Sequence, residues 1–201
     1  MHGKVDDRRI ERSTQIIQTG RRLFADRGYH NCRVADIARG AGMSTGNVYW
    51  HFASKEDLLH DILAESFAEQ DALVHGICSR TDPVAVRVDM LFCEYVDYYC
   101  THWDSVQLTL ALLAHDGIAL FHRLGLDVPQ VGARYHPGLT ALISAGRDAG
   151  ILLDLPPHLL CSLMFSYLNG QAITCDRSGF SHRRDLTLAA LRRLLCKPAG
   201  E

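Results

Sequence analysis

Residues 33–63 read RVADIARGAGMSTGNVYWHFASKEDLLHDIL, and the reading of this stretch decides the fold. Its first segment runs from Val34 to Ala41 with Ile37 and Ala38 inward, and Gly42 stops it. Its second runs from Thr45 to Phe52, with Val48 and Phe52 completing the inner face. Apolar residues three and four positions apart predict a helix for each, and a glycine between them suits the turn. Two short helices about Ala41-Gly42-Met43-Ser44 have the form of a helix-turn-helix. Ser54 then opens a longer helix: its hydroxyl can cap the first turn and Asp57 sits at the reciprocal position. Leu59, Ile62, Leu63, Phe67, Leu73 and Ile77 carry the inner face of that helix.

The same periodicity extends in both directions and no stretch alternates apolar with polar, so the expected fold class is all-α. Upstream, Arg8 to Arg27 predicts a helix with a stripe of Ile10, Ile17, Leu23 and Phe24, closed by Gly28. Downstream, Asp82-Pro83 opens a helix carrying Val84, Val88, Leu91, Tyr95 and Tyr99, and Asp104 can cap another through Leu113. Between 116 and 150, Gly125, Pro129 and Pro137-Gly138 predict a broken or kinked helix. Leu159 to Ile173 is apolar on nearly every face, and a last amphipathic helix places Leu188, Leu191 and Leu195 inward. The expected division is into 1–53, which contains the helix-turn-helix, and 54–201, a helical domain that starts with the Ser54 helix.

Composition narrows the class. At 201 residues and 47% hydrophobic, the chain can bury a sizeable core. No apolar run approaches the roughly 20 residues that span a bilayer, and MHGKVDDRRIE lacks the apolar centre of a secretory signal, so a cytoplasmic protein with no membrane partner is expected. Seven cysteines with no CxxC pair argue against a disulfide framework and a thiolate zinc site. The net charge of −2 divides unevenly: residues 1–60 carry +3 and residues 61–201 carry −5, so the N-terminal part is the one suited to an anion.

Residues Phe24 to Leu63 closely resemble the N-terminal domain of the TetR family of regulators. The resemblance is carried by Phe24 with Gly28-Tyr29, Asp36-Ile37-Ala38, Ala41-Gly42-Met43-Ser44, Tyr49-Trp50-His51-Phe52 and Lys55-Glu56-Asp57-Leu58-Leu59. It implies a DNA interface made by Arg33, Ser44, Thr45, Gly46, Asn47, Tyr49, His51 and Lys55. The chemistry agrees. Ser44 can cap the second helix, and Gly46 allows close approach to the groove floor. Asn47 can pair with adenine and Thr45 can touch a base edge, while Tyr49, His51 and Lys55 resemble phosphate contacts. Cys32-Arg33 stands where the family usually has a small hydroxyl residue, with Arg33 able to contact phosphate in its place. Gly20, where Ala is commoner, should weaken the first helix slightly.

Beyond residue 63 the resemblance is one of architecture, resting on ISAGRDAG (143–150) and Asn169-Gly170. It implies a homodimer whose C-terminal domain holds a small apolar or aromatic effector and which, as a repressor, leaves a palindromic double-stranded operator when that effector binds. Phe67, Phe92, Tyr95, Tyr99, Trp103, His122, Phe165 and Asn169 are the candidate lining of an effector cavity. No cofactor is expected. The eleven histidines include no pair four apart on a clear helix face, so no metal ligands are assigned, and Cys93 with Cys100 offers only a weak redox reading. No nucleophile and base stand at a catalytic spacing, so the chain is not expected to be an enzyme.

Overall fold

The computed structural model describes residues 3–126 and 136–198. Among these residues the chain forms eleven α-helices: α1 (Gly3–Arg27), α2 (Val34–Gly40), α3 (Thr45–His51), α4 (Lys55–Cys78), α5 (Val84–Thr101), α6 (Trp103–Asp116), α7 (Ile118–Arg123), α8 (Pro137–Asp148), α9 (Pro157–Thr174), α10 (Arg177–His182) and α11 (Arg184–Leu195). The one β-type pairing among them is an isolated bridge between Leu152 and Cys196. The Leu153 N–H donates to Leu195 O at 2.8 Å and the Lys197 N–H to Ile151 O at 2.9 Å, tying the α8–α9 turn to the end of α11.

Two compact units result. The first holds the chain up to Ser66 with the segment that starts at Asp104; the second holds Phe67–Trp103 and the helices from α8 onward. The division falls inside α4, whereas the capping signal at Ser54 placed the domain boundary before that helix. The cap itself is present, with the Asp57 N–H donating to Ser54 Oγ at 3.0 Å and the Ser54 hydroxyl donating to Asp57 Oδ2 at 2.9 Å. A cap marks where a helix starts, not which core it joins. Leu58, Leu59 and Ile62 are buried and belong to the first unit.

In the first unit the inner face of α1 is Ile16, Thr19, Gly20, Leu23 and Phe24. Ile10 is 65% exposed and Ile17 lies half-buried, so the stripe read from the sequence was rotated by one residue above Leu23. One position is about 100° of helix, enough to move a side chain off the core. Gly20 has a packing role beyond its propensity cost: a Cβ there would lie 3.1 Å from Ile62 Cδ1 and 3.2 Å from Leu58 Cδ2, so α1 and α4 approach closely at this point. Gly117 and Gly125 adopt φ of 66° and 71° and bracket α7, which supplies the expected break. Pro129 lies outside the described residues.

In the second unit α5 packs against α8, α9 and α11. Its Val88, Leu91, Phe92, Tyr95, Val96 and Tyr99 meet Leu142 and Ile143 of α8, Met164, Phe165 and Leu168 of α9, and Leu188 and Leu191 of α11 in one buried core. Two bidentate pairs flank it: Arg184 grips Asp97, and Arg192 grips Asp89 at 2.7 and 2.9 Å. Both are part-exposed, so each contributes at most about 1 kcal/mol. Gly146 allows the close contact of α8 with α5, because a Cβ would sit 2.9 Å from Val88 Cγ2 and 3.0 Å from Leu152 Cδ1. Overpacking costs typically 1 to 3 kcal/mol, and the gain in helix propensity returns about 1 kcal/mol. Gly146→Ala is therefore expected to destabilise by about 1 kcal/mol, read as a Tm lower by roughly 2 to 4 °C in a thermal melt.

Candidate functional site

The helix-turn-helix is built from short-range chemistry. The Arg33 N–H donates to Asp36 Oδ2 at 3.2 Å, so half of a capping box starts α2 although no hydroxyl is present. The Arg33 side chain is exposed. At the other end Gly42 takes φ 66° and the Met43 N–H donates to Ala38 O at 2.8 Å. Gln15 of α1 donates to Ala41 O at 3.0 Å and fixes the turn to the first helix. Ser44 accepts from the Asn47 N–H at 3.2 Å, as its capping role required.

Val48 is the buried residue of α3. Ser44, Thr45, Gly46, Asn47 and Tyr49 are exposed, and a Cβ at Gly46 would come no nearer than 4.0 Å to any atom beyond its chain neighbours and its own helix backbone. The fold therefore leaves Gly46 free of packing constraint. His51 is part-buried, and that burial, with the charges of Arg9 and Arg12, holds its pKa below the usual value and keeps the ring neutral near pH 7.

Lys55 has a more specific place than an exposed phosphate contact. Its ammonium donates to Tyr29 O at 2.9 Å and Cys32 O at 3.0 Å, and lies 4.2 Å from the centroid of the Tyr29 ring. Two of its three N–H bonds hold the α1–α2 loop, and one remains for an anion. The sequence reading passed over Arg9 and Trp50. Arg9 sits 5.2 Å above the ring of Trp50, which is 65% exposed beside the recognition face. The only sequence signal was the basic run Arg8-Arg9 with Arg12, which composition alone does not place against α3.

Among the described residues, none of the eight effector candidates lines the open grooves of about 600, 410 and 340 Å³. Phe92, Tyr95, Tyr99 and Phe165 are buried, with Tyr95 edge-on to Phe165 at 5.1 Å and Tyr99 stacked on Phe180 at 5.9 Å. The Tyr99 hydroxyl donates to Asn169 Oδ1 at 2.5 Å, and Trp103 packs 5.6 Å from Phe180. Phe67 is buried on α4, and His122 is exposed on α7 in the first unit. Aromatic side chains at helical spacing filled the core, which is the commoner use of that pattern. The second unit instead has an open groove of about 600 Å³ between the latter half of α4 and α5. Ala72, Leu73, Ile77 and Met90 make its apolar part, and Glu69, Arg80, Glu94, Tyr98 and His102 its polar part.

All seven cysteines are free. Burial, then the charge of Asp89, pushes the Cys93 thiol up, and burial does the same for Cys100, so neither is a ready thiolate. No helix of the described residues is long and apolar enough to cross a membrane.

Comparison with known proteins agrees with this geometry. Residues 16–62 match the family described as "Bacterial regulatory proteins, tetR family". The chain is 43% identical over 163 residues to the regulator HbdR of Aromatoleum sp., covering 81% of this chain and 69% of that protein. It is 30% identical to the regulator TtgR of Pseudomonas putida over 80% of this chain and 78% of the relative. Among solved structures, the ketosteroid transcriptional regulator KstR2 of Mycobacterium tuberculosis superposes with a TM-score of 0.71 at 19% identity, over 93% of this chain and 96% of that one. FadR of Bacillus subtilis, in complex with stearoyl-CoA, gives 0.68 at 18% identity, over 89% and 96%. With a helix-turn-helix on an all-α fold and relatives, matched over more than two thirds of their length, that are transcriptional regulators and not enzymes, this chain belongs to the TetR family of regulators.

Proposed function

We propose that the protein is a ligand-responsive repressor, released from a palindromic operator when a small apolar or aromatic molecule binds its second unit. The observation that carries this reading is the division of α3 into one buried anchor, Val48, and an exposed edge of Ser44, Thr45, Gly46 and Asn47. Asn47 and Thr45 read bases, while Tyr49, Arg33 and the remaining N–H of Lys55 hold phosphates. The effector occupies the groove between α4 and α5, whose apolar part with a few polar groups suits such a ligand. The ketosteroid regulator KstR2 and the stearoyl-CoA complex of FadR show that related folds are named for, or hold, molecules with large apolar parts.

Because α4 is one continuous helix from Lys55 to Cys78, a ligand against its latter half acts on the recognition helices by tilting it. The two recognition helices of a dimer must stay about 34 to 36 Å apart to enter successive major grooves. The test is operator binding by fluorescence anisotropy with and without ligands found in a thermal-shift screen. A ligand that weakens operator binding by roughly 5- to 150-fold supports the reading. A bound ligand that leaves operator affinity unchanged overturns it.

The dimer forms through α9 and α11. Leu159 and Ile173 of α9, and Leu186 and Leu194 of α11, are exposed in the single chain, with Ile173 at 69% and Leu186 at 71%. Helices that are apolar on their outer faces need a partner. Leu186→Glu places an unpaired charge in that interface while leaving the subunit core untouched. It is expected to cost about 2 to 5 kcal/mol of association energy. Sedimentation velocity checks it: the wild type runs as a dimer and the variant as a folded monomer.

A further inference from the structure

One group of metal-ligating side chains, in the first unit, is not used in the reading of DNA. His30 stands in the loop between α1 and α2, and His115 and Asp116 are the last two residues of α6. The His30 Nε2 is 3.0 Å from each Asp116 carboxylate oxygen, and the His30 and His115 ring centroids are 4.8 Å apart. One ligand atom from each of the three lies within 4.8 Å of the others. No sequence spacing shows this, since 86 positions separate His30 from Asp116.

We propose that His30, His115 and Asp116 form a binding site for a divalent transition-metal ion of the zinc class. Two imidazole nitrogens and one carboxylate oxygen are a donor set that suits zinc, with cobalt or nickel as alternatives at the same ligands. Metal–ligand distances of roughly 2.0 to 2.2 Å put tetrahedral ligand atoms about 3.3 to 3.6 Å apart, so the His30–Asp116 pair, now hydrogen-bonded at 3.0 Å, needs to open by only a few tenths of an ångström. The remaining closure falls to His115, which is exposed at a helix end and has room to turn. The ion takes the Nε2 lone pair of a neutral His30 ring, whose one N–H is then on Nδ1. A cavity of about 340 Å³ beside the three residues, walled by Tyr29, Asn31, Leu108 and Leu112, leaves space for a water as fourth ligand.

The ion clamps the α1–α2 loop to the end of α6. That loop is the one whose Tyr29 and Cys32 carbonyls receive Lys55, so occupancy stabilises the first unit against opening. The experiment uses the full chain, stripped with a chelator and titrated with Zn²⁺ by calorimetry, with Co²⁺ as spectroscopic stand-in. The expected result is one ion per chain, a raised Tm, and a Co²⁺ visible spectrum without a thiolate charge-transfer band. His115→Ala and Asp116→Asn should each weaken binding by about tenfold or more. Both positions are at a part-exposed helix end, and His30→Gln in the loop is a third variant should either fail to fold. No saturable binding at micromolar Zn²⁺, an unchanged isotherm in the variants, or a thiolate band in the Co²⁺ spectrum would each overturn the site.

Discussion

Asn47→Ala is expected to cost about 1 to 3 kcal/mol per half-site on the operator and to leave binding to random duplex almost unchanged. Over two half-sites the loss doubles, and the substitution leaves the core intact. The side chain is exposed on α3, and its backbone N–H already bonds to Ser44, so truncation removes the amide without disturbing the cap. Specificity falls and non-specific adhesion stays. A salt titration of wild type and variant on operator and scrambled DNA measures both. An equal loss on the two duplexes would assign Asn47 to phosphate holding instead of base reading.

Lys55→Ala should act first on stability. The substitution strips a charged donor from two carbonyls, Tyr29 O and Cys32 O, and a cation from the face of Tyr29. Hydrogen bonds to charged groups contribute about 1.5 to 3 kcal/mol each, and the partial exposure of this site takes the lower end, so a total of about 2 to 4 kcal/mol is expected. Chemical denaturation reads it directly. The same variant reports on DNA. If Lys55 spends most of its hydrogen-bonding capacity on the loop, the slope of log affinity against log salt changes by less than the roughly two units that two lost phosphate contacts per dimer would give. A full two-unit flattening with unchanged stability would return Lys55 to a pure phosphate contact.

The helix-turn-helix was legible in the sequence because every step that makes it is local. Gly42 at φ 66°, Ser44 capping Asn47, and Val48 three residues beyond Thr45 all act within one or two turns. A short-range pattern needs no knowledge of distant partners, so the buried anchor Val48 and the exposed edge of α3 could be told apart from it. The first helix shows the limit of periodicity. Ile16 and Ile17 are adjacent and equally apolar, and the choice of Ile16 as the buried one is made by where α4 packs, at Gly20 against Leu58 and Ile62.

What the sequence by itself determined is therefore the all-α class, the helix-turn-helix and the family, each resting on contacts between near neighbours in the chain. The tertiary structure decided which aromatic residues fill space and which bound it. Tyr95, Tyr99 and Phe165 carry the same apolar signal as any pocket wall, but their rings close on Phe180 and on one another, while Tyr98 faces the groove. It also decided that Lys55 serves the α1–α2 loop and that His30 meets His115 and Asp116. The physical reason is the same in each case. A side chain's role depends on atoms brought within 3 to 5 Å by packing, and a pairing across 86 positions leaves no periodic trace in the chain.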